Sequence, residues 1–266
     1  MTSAGYLQQR ASDAWPALEV VRLGGWLLRG GCGVTKRANS VLALRDPGRP
    51  VADAVAAVEQ WYAARSIPPR FQTFAGQSPA DLGERLADAG YARSEETVFM
   101  TAPLAAVSAP LSAESREERC RNREGAAGVE LTEDPTDEWL AAFDLAEPTP
   151  WDREGRGALL RRRTPPRRHA AVRLDGRIVA VGRCVVDDGW AGFAAVATAA
   201  DHRRQGHALA VMSALTAWAL RAGARSAYLQ VLAGNQPAQS LYRSLGFTEH
   251  HRYAYHARPA GQTEKK

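Results

Sequence analysis

The stretch best equipped for chemistry is AAVATAADHRRQGHA, Ala194–Ala208, which runs directly into a long amphipathic segment. Its pattern is a strand, then a short turn holding Arg203, Arg204 and Gly206, then a helix whose leading backbone N–H groups find no acceptor inside the helix. Such a turn attracts a phosphate. The helix dipole puts partial positive charge at its start, glycine lets the backbone approach a ligand, and arginine supplies charge-assisted hydrogen bonds. It is neither a Walker loop nor a dinucleotide fingerprint, because no G-K-[ST] follows and no G-x-G-x-x-G is present. Alone, the same residues read equally as a solvated basic turn. A second stretch, NQPAQSLYRSLGF from Asn235 to Phe247, sets Asn235 at the start of a short helix and Tyr242 on its face. Asn235 suits an N-cap. By itself Tyr242 reads as a half-buried aromatic on an amphipathic helix.

The elements that must position these residues follow from periodicity and turn chemistry. Val129–Leu131 reads as a strand and Thr136–Leu145 as a helix with Trp139, Leu140 and Phe143 on one face. His169–Leu174 and Arg177–Val186 flank Asp175-Gly176, a hairpin signal. Trp190–Val196 is an apolar strand, and Gly206–Ala222 carries Leu209, Met212, Leu215, Trp218 and Ala219 on one side. A strand at Ala227–Leu232, a helix from about Pro237 to Leu245 stopped by Gly246, and an extended segment through Tyr255 complete an α/β domain. Upstream, Gly25–Arg29 and Asn39–Leu44 read as strands around a GGCG turn. Val51–Ala64 has helical spacing, Arg70–Phe74 is extended after Pro68-Pro69, Ser78 and Pro79 open a second helix ended by Gly90, and Val98–Met100 begins a strand. Between the halves, 105–128 is small and charged, a linker composition. The division expected is 1–104, a linker over 105–128, a second domain over 129–258 and a tail over 259–266. The segments LADAGYARSEETVFM and YRSLGFTEHHRYAYH echo one another in order: helix end, glycine, aromatic, strand.

Together the two chemistry-bearing stretches resemble the GNAT superfamily of acyl-CoA-dependent N-acetyltransferases. The family pattern [QR]-x-x-G-x-[GA] is matched by Arg203, Gly206 and Ala208, and N-x-x-A-x-x-L-Y-x-x-x-G-F by Asn235, Ala238, Leu241, Tyr242, Gly246 and Phe247. The resemblance covers about 129–256. The first half looks like the degenerate leading domain of two-part GNAT proteins, some of which are described as glutamate N-acetyltransferases. It implies a mixed, mostly antiparallel sheet flanked by helices, with a second, degenerate GNAT-like N-terminal domain. It also implies that the backbone from Arg203 through Arg204, Gly206, His207, Ala208 and Leu209 cradles the pyrophosphate of acetyl-CoA. The strand near Val196 and Thr198 would pair with the pantetheine arm, Asn235 would bond that arm, and Tyr242 would protonate the departing thiolate. Many GNAT enzymes carry a Glu on the strand before the loop, whereas here it reads GWAGFAAVATAA. Glu147, in the loop after the first helix, stands where the family builds its acceptor site. Glu249, His250 and His251 are further candidates, each also readable as an ordinary surface or strand polar residue, and alternation sends the two histidines to opposite faces. Arg161–Arg168 reads as an exposed extended loop. Trp15, Trp26 and Trp151 read as core or as the lining of an acceptor cleft.

The expected activity is direct acetyl transfer from acetyl-CoA to a primary amine of a small molecule, amino acid or peptide, with no metal. The alternative is a non-catalytic acyl-CoA sensor. Composition agrees. The 266 residues are 45% apolar and 24% charged, and 34 basic against 29 acidic residues give a net +5, which suits a ligand bearing phosphates or carboxylates without indicating nucleic acid. No apolar run suggests a membrane span or export signal, and Cys32, Cys120 and Cys184 form no C-x-x-C pair, so a cytoplasmic setting is expected. A monomer is favoured over a homodimer.

Overall fold

Turn chemistry sets the strand register in each half of the computed structural model, which describes residues 2–31, 35–108, 128–146, 153–162 and 165–258. Asp175 and Gly176 both take positive φ, 46° and 78°, and close the hairpin of β8 (Arg167–Leu174) and β9 (Arg177–Asp187). Asp188 and Gly189 do the same, at 48° and 76°, between β9 and β10 (Trp190–Thr198). Two units result, one comprising Met1–Val98, Leu232–Gly234 and His250–Lys266, the other Phe99–Val231 and Asn235–Glu249.

The first unit runs α1 (Ala4–Ala14), β1 (Glu19–Leu23), β2 (Trp26–Gly30), β3 (Val41–Ala43), α2 (Val51–Ala63), β4 (Arg70–Phe74), α3 (Leu82–Asp88) and β5 (Ala92–Arg93). Its sheet order is β1-β2-β3-β4-β12, the last being Thr248–Ala257 from the far end of the chain, with β5 also on β12. Pairing is antiparallel except β3 to β4, which α2 connects as a parallel crossover. Trp26, Leu28, Val41, Ala43 and Phe71 bury one sheet face with Ala54, Val58 and Tyr62 of α2 and Leu82 and Leu86 of α3. Helix α1, which periodicity does not reveal, starts at a Ser3 cap and buries Gln8 and Ser12 beside Leu7 and Ala11. Strand β1 carries no buried alternation to mark it, being an edge strand exposed at four of its five residues.

The second unit holds β6 (Thr97–Pro103, from Phe99), α4 (Leu104–Ser108), β7 (Val129–Thr132), α5 (Asp137–Ala146), α6 (Arg153–Leu160), β8, β9, β10, α7 (His207–Arg221), β11 (Ser226–Leu232) and α8 (Gln236–Ser244). Its strands lie in the order β6-β11-β10-β9-β8-β7. The expected mixed, mostly antiparallel sheet with flanking helices is what forms. Each unit therefore repeats an antiparallel series, of three strands in the first and four in the second, then a helix, a parallel strand and a helix, and takes a further strand from the other half of the sequence. The stretch 105–128 is helical to Ser108, and 109–127 lie outside the described residues.

Helix α7 lies close on β9 because residue 182 is glycine. A Cβ there would stand 2.4 Å from Cγ1 of Val211. Trp139 of α5 donates its indole N–H to the Ala170 carbonyl at 2.8 Å and meets the His169 ring edge-on at 5.1 Å. Arg161 and Arg162 are exposed, as expected of the basic run, but its end, Arg167 and Arg168, enters the fold as the start of β8, with Arg167 buried and paired with Asp134. Trp15 and Trp26 are core residues, while Trp151 lies outside the described residues. No described helix is long and apolar enough to cross a membrane.

Gly182→Val should lower unfolding free energy by about 1–3 kcal/mol through overpacking against Val211, read as a fall in urea midpoint. His169 gives a pH test. Its Nδ1–H donates to the Glu133 carbonyl at 2.9 Å, and burial, then the neighbouring Arg183 charge, hold its pKa down at about 3. Between the unfolded value of about 6.5 and 3, the unfolded chain binds a proton that the native chain refuses, so stability falls with pH at up to about 1.4 kcal/mol per unit. His169→Gln should flatten that slope between pH 6.5 and 5. Parallel stability curves for variant and parent would contradict it.

Candidate active site

Strand β10 changes course halfway. Against β9 its register runs from Trp190 opposite Asp187 to Ala194 opposite Arg183, then resumes at Ala197 opposite Val181, one residue longer on the β10 side. That extra residue is a bulge, with Ala195 at φ 52°. On its other edge β10 pairs in parallel with β11 at only three positions, Trp190, Ala191 and Gly192 against Ser226, Ala227 and Tyr228. Past Gly192 no ladder joins the two strands. The backbone of Phe193–Thr198 therefore lies outside that ladder on the β11 side, where its hydrogen-bonding groups suit a ligand. At the apex, where the ladder ends, a Cβ on Gly192 would lie 2.3 Å from the Tyr228 hydroxyl oxygen, so only glycine lets that phenol rest on the strand.

The turn after β10 is built largely from its own backbone. Ala199 donates to Val179 O at 2.9 Å, a single 3₁₀ turn covers Ala200–His202, Arg204 takes φ 62° and Gly206 φ 85°. Gly206 is the N-cap of α7, and Ala210 N–H to Gly206 O, 3.0 Å, is the bond that closes the helix's first turn. Helix geometry thus leaves the Ala208 and Leu209 N–H groups without an i−4 acceptor. Nothing lies within 4 Å of a Cβ built on Gly206, and the first turn carries no acid. Arg203 does not reach outward. Its Nε donates to Thr198 O at 3.2 Å and its Nη2 to Ala146 O at 3.4 Å, tying the turn to the end of β10 and the end of α5. Arg204 is exposed, and the His207 ring stands 6.3 Å from that of His202, whose Nδ1 lies 2.8 Å from Asp201 Oδ1, a proximity that lowers the Asp201 pKa.

The corresponding turn in the first unit is made otherwise. Its helix α2 has Pro50 as N-cap and Asp53 in the first turn, and Asp46 Oδ1 accepts the Gly48 N–H at 2.7 Å. Gly24 packs against Pro47 so closely that a Cβ would sit 2.1 Å from its carbonyl oxygen. This turn also has arginines, Arg45 and Arg49, and open space at Gly48, but its helix begins with an acid where the second unit's helix has none.

On α8, Asn235 does cap: its Oδ1 accepts the Ala238 N–H at 3.2 Å. Tyr242 points inward, 8% exposed, its ring 6.1 Å from Phe247, which meets Phe193 of β10 edge-on at 6.3 Å. These rings connect α8 to the strand that carries Val196 and Thr198, both half-buried. Tyr228 and Phe193 shape the apex and carried no sequence signal, because an aromatic in an apolar strand looks like core. Glu147 lies outside the described residues. Glu249 is exposed. His250 and His251 belong to the first unit and, contrary to simple alternation, their Nδ1 atoms approach to 2.9 Å, with His251 Nε2 on Gln8 and His250 Nε2 on Thr2 O. Burial, then His250, lowers the His251 pKa to about 4. Among the described residues no group of three His, Cys, Asp or Glu could hold a metal ion.

The family model described as "Probable histone acetyltransferase Rv0428c C-terminal" matches residues 5–256. A Bacillus subtilis protein named "Uncharacterized N-acetyltransferase YobR" is 30% identical over 249 residues, 92% of this chain and 96% of that protein. Among solved structures, a GCN5-related N-acetyltransferase from Kribbella flavida superposes with TM-score 0.70 at 19% identity, covering 99% of this chain and 98% of its own. A tandem GNAT protein from the clavulanic acid biosynthesis pathway gives 0.60 at 16%, covering 97% and 89%. The match over nearly the whole chain, on a fold of two repeated units, establishes that this protein belongs to the GNAT N-acetyltransferases, in the family of the Rv0428c C-terminal domain.

Proposed function

We propose that the second unit moves an acetyl group from acetyl-CoA directly to the primary amine of a small molecule, an amino acid or a peptide. One observation supports this above the others: an interrupted β10 ladder ends at a turn with open space before Gly206 and a helix start that Gly206, having no side chain, does not cap and no acid occupies. The first part suits an extended amide-bearing arm lying along Val196 and Thr198 as an added strand. The second suits a pyrophosphate on Arg204, Gly206, His207, Ala208 and Leu209, with Arg203 holding the turn in shape. Acetyl-CoA, when bound, supplies the activated thioester acetyl group. A backbone N–H at the β10 bulge serves as the donor to the acetyl oxygen, Asn235 combines its capping bond with a contact to the arm, and the Tyr242 phenol holds the proton needed by the sulfur. An acceptor amine of pKa about 10 arrives protonated and must first lose that proton. With no acid on β10, Glu147 is assigned to the acceptor side, where the family resemblance puts it. The first unit takes the role of a degenerate partner domain. The name of the family adds histones to the acceptors to be tried.

The experiment is thiol release from acetyl-CoA with amino acids, polyamines, aminoglycosides, short peptides and a histone-tail peptide, run beside calorimetric titration of CoA. Turnover with one amine class is expected. Binding without turnover would favour the sensor reading, to which the absence of a β10 carboxylate lends weight, and failure to bind CoA would sink both. Tyr242→Phe should cut turnover by about 10²-fold or more while CoA affinity changes little, as expected for a lost general acid. Gly206→Val should act the other way, weakening CoA at least about tenfold, because a β-branched residue resists φ 85° and fills the space before the turn.

A further inference from the structure

The first unit buries positive charge on a sheet face that would ordinarily be apolar. Strand alternation divides its residues: Trp26, Leu28 and Phe71 enter the hydrophobic core, while Arg29, Arg70 and Gln72 fall on the other face, joined by Tyr255, which is paired with Gln72 across β4 and β12. Arg29 is 1% exposed. Its Nε donates to Ser40 O at 3.0 Å, and its Nη2 to Ser40 Oγ at 2.8 Å and Gln72 Oε1 at 2.7 Å. Arg70, half-buried, donates to Asn39 O at 3.4 Å. Arg37, also half-buried, lies over the Trp15 ring at 5.6 Å with its Nε shielded from solvent and lacking an acceptor. All three guanidinium groups are within electrostatic reach of the Tyr255 phenol.

Every acceptor these arginines use is neutral, and no carboxylate of the described residues pairs with any of them. Other arginines of the chain behave differently: Arg65 holds Glu19, Arg85 holds Asp81 and Arg252 holds Glu96. A cation withdrawn from water without an opposite charge is strongly destabilising, and like charges set together add to the penalty. Three guanidinium forks around a phenol match an oxyanion bearing more than one negative charge.

We propose that Arg29, Arg37 and Arg70 form an anion-binding site in the first unit, taking a small polyanion of the phosphate or polycarboxylate class. Arg29 is its floor, held by Ser40 and Gln72, and the half-buried Arg37 and Arg70 are its accessible side. It is built from none of the residues of the acetyl-transfer turn and stands whether or not that reading holds.

The test is thermal unfolding and calorimetry of the full chain with inorganic phosphate and with citrate, against sodium chloride at equal ionic strength. Saturable stabilisation by at least one of the two anions, beyond that of chloride, is expected, and which one responds identifies the chemistry. Arg37→Gln and Arg70→Gln should each weaken that anion at least about tenfold, the loss of one charge-assisted contact. Without added anion, Arg70→Gln should melt no lower than the parent, because a like charge has been removed. Gly206→Val should keep the full anion response. A response no greater than that to chloride, full response in both arginine variants, or an anion-free Arg70→Gln protein that melts lower would each overturn the proposal.

Discussion

The second unit depends on a parallel ladder that stops after three residue pairs. If β10 and β11 stayed paired to their ends, their backbone groups would satisfy each other and the sheet would be closed to any ligand. The extra residue between Ala194 and Ala197 prevents this by turning β10 out of register while its other edge remains on β9. Neighbouring residues are restricted accordingly. Gly192 must be glycine for the Tyr228 phenol to close the apex, Gly182 must be glycine for α7 to lie close behind the strand, and Gly206 must tolerate positive φ for the chain to enter α7. Three glycines on three elements thus serve one discontinuity.

The same architecture with an acidic, proline-capped helix start gives a different surface. In the first unit β3 and β4 also pair in parallel for a short distance, at two positions, and α2 follows β3 as α7 follows β10. Yet a proline at the helix start contributes no N–H, an aspartate already occupies the Gly48 donor, and Asp53 opposes an anion at the positive end of the dipole. Shared topology fixes where a binding turn can stand. Whether it binds phosphate is decided by a few residues in the turn itself.

What was legible in the sequence follows the same physics. The hairpin at Asp175-Gly176 could be read because positive φ at both positions restricts residue choice, and α7 because its apolar residues recur on one face of a helix that buries them. The echo between the two halves also has a physical basis. Gly90 and Gly246 both end helices at positive φ, 82° and 85°, and the next residues, Tyr91 and Phe247, donate to Leu86 O and Tyr242 O at 2.9 and 3.0 Å. The sites of pairing were not legible. Nothing local in Thr97–Pro103 or Thr248–Ala257 says that β6 lies beside β11 or that β12 lies beside β4, since a strand pattern specifies faces and not partners.

The helices that periodicity missed have a common cause. Helix α1 directs Gln8 inward, where its Oε1 accepts from Gln72 and its Nε2 meets His251, so its buried face lacks a continuous apolar stripe. Helix α6 buries Arg156, paired with Asp144 and lying 5.3 Å from the Phe143 ring centre. In both, the residue at the core position is polar or charged, and a hydrophobic pattern is silent there by construction. Departures of this kind carry a cost in desolvation, and a sequence retains them where the buried polar groups position something. Gln8 meets this condition through Gln72, which holds Arg29, the cation whose charge no described carboxylate answers. The failure of the pattern over α1 and the uncompensated charge beneath it are therefore one observation made twice, first in the sequence and then in the structure.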